Sequence, residues 1–193
     1  MAVLTGPKKI RTAVFISGKG SNLENLIKFS KIKKSPISIN LILSNNKKAK
    51  GLRFAKIFKI KKKIFNFKIN SLAEKKILFV LKKDKIDLIC LAGFMKILSK
   101  NFIKNFKGKI LNIHPSLLPQ FKGLKTHERV IESKKKYSGC TVHFVNTRLD
   151  SGKIILQYKI KIKKSDTPKS LAKRILALEH KLYPKAIMKI FNP

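Results

Sequence analysis

The sequence predicts an α/β fold, with a mostly parallel sheet, helices on both faces and an antiparallel strand pair near the C-terminal end. Three observations predict it. Short apolar runs alternate with stretches of helical periodicity through the first half of the chain. The strongest of those runs, "LICLAG", is continuously apolar, as expected of a strand covered on both faces. After a proline-bearing loop, two further strand-like runs lie too close together for a helical crossover, so they must pair antiparallel. A chain of 193 residues, 44% of them hydrophobic, suits a single domain spanning 1–193.

The elements follow in order. "TAVFIS" (12–17) is a buried strand. "SNLENLIKFSKI" (21–32) carries Leu23, Leu26 and Ile27 at helical spacing. "ISINLILS" (37–44) is the second strand, 49–58 a helix and 62–67 a short strand. Residues 71–83 form a helix, with Ser71 as N-cap and Glu74 at the capping-box position. Strand 86–93 precedes a short helix at 99–106 and strand 108–113. Beyond the prolines come helix 126–135 and strands 138–146 and 153–162. A closing helix is capped by Asp166 or Thr167, with Pro168 in its first turn. Leu171, Ile175, Leu178 and Leu182 make its buried stripe, and Glu179 lies on the flank.

Composition sets limits on partners. Cys90 and Cys140 sit in separate apolar runs, with no disulfide or zinc spacing. The expected setting is a reduced cytoplasm. "MAVLTGPKKIRT" lacks a signal peptide's apolar core, and no apolar run is long enough to span a bilayer. The net charge is +37, from 46 Lys plus Arg against 9 Asp plus Glu. A nucleic-acid partner is one reading of that excess. Against it, only Arg11, Arg53, Arg129, Arg148 and Arg174 are arginines, the residue type favoured for base and bidentate phosphate contacts. The lysines are also spread along the whole chain. Compositional drift explains this better than a nucleic-acid surface does.

Four places could carry chemistry. "SGKGSN" (17–22) joins a strand to a helix. Its glycines admit close backbone approach, and the first-turn N–H groups suit a phosphate. An ordinary tight turn would look the same. It is neither a dinucleotide fingerprint nor a Walker loop. In "NIHPSLLPQFKG" (112–123), Asn112 and His114 end a buried strand, where ligands bind open α/β sheets. An imidazole can move a proton and an amide can donate to an oxyanion, although a turn histidine that merely packs is also common. Asp150, between the last two strands, could orient His114 and favour its protonated form, or be a turn aspartate. Glu179 could meet a bound amine or hydroxyl, or pair with a lysine. No histidine pair has zinc-ligand spacing, and no nucleophile elbow is present.

Together "VFISGKGSNLENLI", "LAGFMKILS", "LNIHPSLLPQFKG", "THERVIE", "GCTVHFVNTRLDSGKIILQ" and "LEHKLYP" resemble the phosphoribosylglycinamide formyltransferase family of the formyltransferase superfamily. The blocks fall in the family's order and span nearly the whole chain. The resemblance implies a Rossmann-like sheet and formyl transfer from 10-formyltetrahydrofolate, a cosubstrate, to phosphoribosylglycinamide in purine (IMP) synthesis. It implies Asn112, His114 and Asp150 as the catalytic trio, with protonated His114 and Asn112 holding the oxyanion. Gly20, Ser21, Asn22 and Glu179 would bind phosphoribosylglycinamide. Met95, Lys96, Ile97, Leu98 and Asn112 would line the folate pocket. No metal is implied. The partners are small molecules, with no membrane and no nucleic acid, and the chain would be a monomer or homodimer. The chain departs from the family at Lys19, usually Asn, at Lys96, usually Arg, and at Ser151, usually Gly, and no counterpart of a folate-contacting arginine is found near "NFKINSLAEKK". The rival readings are a formyltetrahydrofolate deformylase, a methionyl-tRNA formyltransferase, and a lysine-rich nucleic-acid-binding protein on a decayed enzyme fold. The first two normally carry an additional domain. The last predicts lysines massed on one face.

Overall fold

The computed structural model describes residues 9–191. The opening stretch read above for a targeting signal lies largely outside them. In chain order the elements are β1 (Ile10–Ile16), α1 (Ser21–Ser30), β2 (Ile37–Ser44), a 3-10 turn (Lys50–Leu52) running into α2 (Arg53–Ile57), β3 (Lys61–Ile64) and α3 (Asn70–Lys83). There follow β4 (Leu88–Leu91), α4 (Lys100–Asn105), β5 (Lys109–His114), α5 (Thr126–Glu132), β6 (Tyr137–Phe144), β7 (Ile154–Lys161) and α6 (Pro168–Phe191). The strands form one sheet in the order β3-β2-β1-β4-β5-β6-β7. The first five run parallel. Strand β6 alone is reversed, antiparallel to both β5 and β7. The expected antiparallel pair is therefore present, and the reversal begins one strand earlier, across β5 and β6.

Side-chain alternation along the strands divides the core. Val14 and Ile16 of β1 join Leu23, Leu26 and Ile27 of α1 and the buried stripe of α6 on one face. Ala13 and Phe15 join Ala73, Ile77 and Leu81 of α3 and Phe102 of α4 on the other. Helices thus cover both faces, and the central strands need apolar residues at every position. On β5 the alternation places Asn112 and His114 on the same side as Ile110 of the second cluster. On β6, Cys140 and Val142 enter the first cluster, leaving Thr141 and His143 on the other side.

Several local expectations change. The strand expected over 62–67 is only Lys61–Ile64, because it is an edge strand paired solely to β2. Three exposed lysines guard that edge, and Phe67 leaves it to enter the core. The capping box at α3 does not form. The helix begins at Asn70 without a side-chain cap, and Glu74 instead accepts the backbone N–H and hydroxyl of Ser99. Helix α6 does have a reciprocal cap, between Thr167 and Ser170. Its stripe holds as expected at Leu171, Ile175 and Leu182, while Leu178 is only partly buried. Both cysteines are free and buried, and burial pushes each thiol up to about 12. Among the described residues no helix is long and apolar enough to cross a membrane.

Candidate active site

Strand order reverses between β1 and β4, whose chain connections run to opposite sides. Such a switch point opens a crevice at the carboxyl ends of the strands. Here it is a cleft of about 740 Å³. One wall is the 17–22 turn, another the segment after β4, and a third the ends of β5 and β6.

The turn is built for close approach. Gly20 has φ 79° and leaves the start of α1 without a side-chain cap. A Cβ on Gly20 would lie 2.7 Å from the Gly51 Cα. The Gly51 N–H in turn donates to the Gly18 carbonyl at 3.0 Å. The Lys50–Leu52 turn therefore braces the glycine loop from behind while the first N–H groups of α1 face the cleft. Asn22 and Glu179 meet here, although 157 residues separate them. The Asn22 amide donates to Glu179 at 2.7 Å. That bond uses one of the two amide hydrogens, so the second and the backbone N–H remain for a ligand. The Asn22 side-chain oxygen is buried and has no partner among the described residues. Burial raises the Glu179 carboxyl to about 7, against the opposing pull of Asn22. Among the described residues no salt bridge joins a lysine to Glu179, unlike one of the sequence alternatives. One turn further along α6, the buried Tyr183 hydroxyl reaches the Leu91 and Leu111 carbonyls at 3.1 and 3.2 Å, fastening the helix to the ends of β4 and β5.

The polar cluster follows from strand register. Asn112 lies directly opposite His143, and its amide approaches His143 Nε2 at 3.3 Å and Asp150 Oδ1 at 3.4 Å. His114, two residues on, shares that face. A carbonyl only accepts, so the 2.8 Å contact of His114 Nε2 with Phe121 O fixes the hydrogen on Nε2. Nδ1 is then the nitrogen that exchanges a proton, and Asp150 Oδ2 stands 3.4 Å from it. The same reasoning puts the His143 hydrogen on Nδ1, which donates to Phe144 O. The proline loop is tied over the cluster. The Thr141 hydroxyl donates to Ser116 O, the Leu118 N–H donates to Thr141, and Gln157 donates to Leu118 O. The Leu118–Pro119 peptide is cis.

Electrostatics bear on the resting state of His114. Burial depresses the His114 pKa below its usual value, and it outweighs the raising effects of the Phe121 contact and Asp150. The resting imidazole is therefore neutral at neutral pH, not protonated. Asp150 feels burial too. The Gly123 N–H, together with the His143 ring and the His114 charge when both imidazoles are protonated at the low pH where a carboxyl titrates, outweighs it and holds the carboxyl below its usual range. Asp150 stays ionised and works against the depression of His114. An Asp150→Asn variant should therefore titrate His114 at still lower pH, as read from its ring-proton NMR shift.

Asp150 itself adopts φ 43°, a left-handed conformation that side chains other than Gly, Asn or Asp seldom take. Ser151, where the sequence departs from the family pattern, is not among the positive-φ residues, so its side chain costs the loop nothing. Its hydroxyl meets Lys122 at 2.5 Å. Gly152 is the constrained position, since a Cβ there would fall 1.7 Å from the Phe144 carbonyl oxygen. Gly152→Ala must displace the loop carrying Asp150. A displacement of about 1 Å costs on the order of 10²-fold in turnover, measurable as kcat on protein whose circular dichroism is unchanged.

A match to the Formyl transferase family covers residues 10–187. The chain belongs to that family. It is 43% identical over 183 residues to the phosphoribosylglycinamide formyltransferase of Haemophilus influenzae, covering 93% of this chain and 85% of the relative. It is 44% identical over 183 residues to the trifunctional purine biosynthetic protein adenosine-3 of Homo sapiens, of which it spans only 18%. Among solved structures, the phosphoribosylglycinamide formyltransferase of Anaplasma phagocytophilum superposes with a TM-score of 0.90 at 43% identity, covering 96% of this chain and 88% of that one. Glycinamide ribonucleotide transformylase 1 of Symbiobacterium toebii gives 0.91 at 34% identity, covering 97% and 90%.

For a formyl transferase, this arrangement brings together every site residue singled out from the sequence. Gly20, Ser21, Asn22, Met95, Lys96, Ile97, Leu98, Asn112, His114, Asp150 and Glu179 all line the one cleft. Sequence reading missed His143, the Phe121 carbonyl and the Gly51 brace. Only His143 left a signal: in "GCTVHFV" it shares the polar parity of Thr141 in an otherwise apolar strand. The other two act through backbone atoms, which carry no sequence signature.

Proposed function

We propose that this chain transfers the formyl group of 10-formyltetrahydrofolate to the amine of 5′-phosphoribosylglycinamide, and that residues 1–193 act as one formyltransferase domain. The observation that carries the reading is the convergence of Asn112, His114 and Asp150 at the end of β5, across the cleft from the 17–22 turn. The first N–H groups of α1 receive the substrate phosphate. Glu179 and the orphaned Asn22 oxygen face its hydroxyl and N–H donors. The exposed Met95 and Ile97 offer apolar surface to the pterin.

The chemistry follows from the neutral imidazole. The substrate amine attacks the formyl carbon and a C–N bond forms. The oxygen gains negative charge, and the Asn112 amide donates to it; the long contacts of that amide with His143 and Asp150 are easily exchanged. The amine proton passes to His114 Nδ1, directly or through water. The imidazolium so formed lies between Asp150 and the oxyanion and is stabilised by both. Collapse breaks the bond to the folate nitrogen, which takes the proton back from His114. The histidine is a base first and an acid second, and the Nε2–Phe121 bond keeps its ring in place throughout.

The test is tetrahydrofolate formation by purified protein, with and without phosphoribosylglycinamide. Product that requires the nucleotide supports the transferase. Product without it indicates a hydrolase acting on the same cosubstrate. Exposed lysines occur on both edge strands, on α3 and on α6. They surround the molecule, which is unlike the one-sided distribution the nucleic-acid reading requires.

A further inference from the structure

The segment after β4 presents an unusual combination. Met95 and Ile97 are 63% and 72% exposed, yet Leu98 beside them is 6% exposed. No helix or strand covers residues 92–99. An unsupported loop with two exposed apolar side chains should collapse onto the cleft or move freely. It is instead fastened at both ends.

At the near end, the Met95 N–H donates to the Ser17 hydroxyl oxygen at 2.7 Å. That hydroxyl is itself held by donating to Asn45 at 2.5 Å. At the far end stands Glu74 of α3, only 4% exposed. It accepts the Ser99 N–H at 2.7 Å on one oxygen and the Ser99 hydroxyl on the other. Ser99 in turn caps α4, its hydroxyl oxygen accepting the Phe102 N–H at 3.0 Å. Glu74 is a buried carboxylate in a chain with 46 basic residues, yet among the described residues no cation pairs with it. Burying such a group is costly unless hydrogen bonds compensate. All of the compensation shown comes from one residue, Ser99, next to the rim of the cleft.

We propose that Glu74 is a positioning residue for the cosubstrate: by gripping both donors of Ser99, it sets the path of Met95–Leu98 and hence the apolar ledge on which the folate ring system rests. This rests on the reading of 95–98 as the folate wall. Glu74 touches no substrate and acts only through Ser99. The grip acts at the far end of the segment: the 17–22 turn touches the near end through Ser17 but is braced at its glycines by Gly51, and Glu179 is held by Asn22. Loss of the grip therefore separates the two substrates. The KM for 10-formyltetrahydrofolate rises and that for phosphoribosylglycinamide does not.

The experiment compares Glu74→Ala, Glu74→Gln, Ser99→Ala and Ile97→Ala with the parent protein. Steady-state kinetics are measured for each substrate, together with amide hydrogen exchange over 93–99 in the free protein. Glu74→Ala is expected to raise the folate KM by about tenfold or more, with the nucleotide KM within about twofold. Glu74→Gln keeps an acceptor for the Ser99 N–H and recovers part of the loss. Ser99→Ala removes the hydroxyl bond to Glu74 and the cap on the Phe102 N–H but keeps the Ser99 N–H bond to Glu74, and falls between them. Faster exchange at 95–99 in Glu74→Ala supports the grip whether or not turnover is seen. Equal rises in both KM values, or unchanged exchange, would overturn it. Ile97→Ala separates the two claims. If it leaves the folate KM unchanged, the folate wall is wrongly placed. If it raises that KM while Glu74→Ala does not, the wall stands and the positioning role fails.

Discussion

His114→Ala is expected to lower kcat by about 10²–10⁴-fold, the span typical of a lost general acid–base group. The loss should fall on kcat, because His114 engages groups whose charge develops only during reaction. Three structural facts require this. The ring is 5% exposed, so water cannot readily substitute. Its Nε2 hydrogen is committed to Phe121, which leaves Nδ1 as the single working atom. Asp150, across from Nδ1, stabilises the proton once it arrives. Rate measurements at saturating concentrations of both substrates check the prediction. A rise in KM at constant kcat would move His114 from chemistry to binding and undo the scheme.

Glu179→Gln is expected to stabilise the free protein above pH 7 while weakening it as an enzyme. Burial raises the folded-state carboxyl from 4.5 to about 7. The folded state therefore holds a proton that the unfolded chain releases between those values. Stability from this group is fully present below pH 4.5, declines as pH rises, and is lost once pH passes 7. The buried charge then costs on the order of 3 kcal/mol. Glutamine keeps the shape and an acceptor for the Asn22 amide but never ionises. Denaturant unfolding should show variant and parent nearly equal near pH 4.5, with the variant ahead at pH 8. The cost appears in the site. A charged acceptor for a substrate donor is worth roughly 1.5–3 kcal/mol, so the nucleotide KM should rise about 10- to 100-fold. Equal stability at both pH values would show that the carboxyl is not desolvated as its surroundings imply.

Both predictions concern groups that the cleft holds in an unfavourable state, a desolvated imidazole and a desolvated carboxylate. Under the proposed function, substrate groups would supply the missing partners and offset this destabilisation. The unpartnered oxygen of Asn22 is the same phenomenon in a neutral group.

The sequence by itself determined the architecture. Short continuous apolar runs such as "LICLAG" read as strands covered on both faces, and the helical spacing of Leu23, Leu26 and Ile27 leaves α1 one face to bury. It also marked Asn112 and His114, which interrupt an apolar strand at the end where the cleft opens. Two errors, at the α3 cap and at β3, share a cause. Local patterns there are overridden by distant partners: Glu74 is drawn to Ser99, and the β3 strand stops where Phe67 turns into the core. Tertiary structure alone decided the rest. The protonation of His114 depends on burial and on the Phe121 carbonyl, neither of which its neighbours in sequence reveal. The Asn112–His143 contact depends on the antiparallel register of β5 and β6. The Asn22–Glu179 pair exists only because α6 packs beside α1, bringing a helix start and a helix middle from opposite ends of the chain to hydrogen-bonding distance. Periodicity and propensity are local and can be read along a chain, whereas desolvation and pairing between distant residues arise only once the elements are packed.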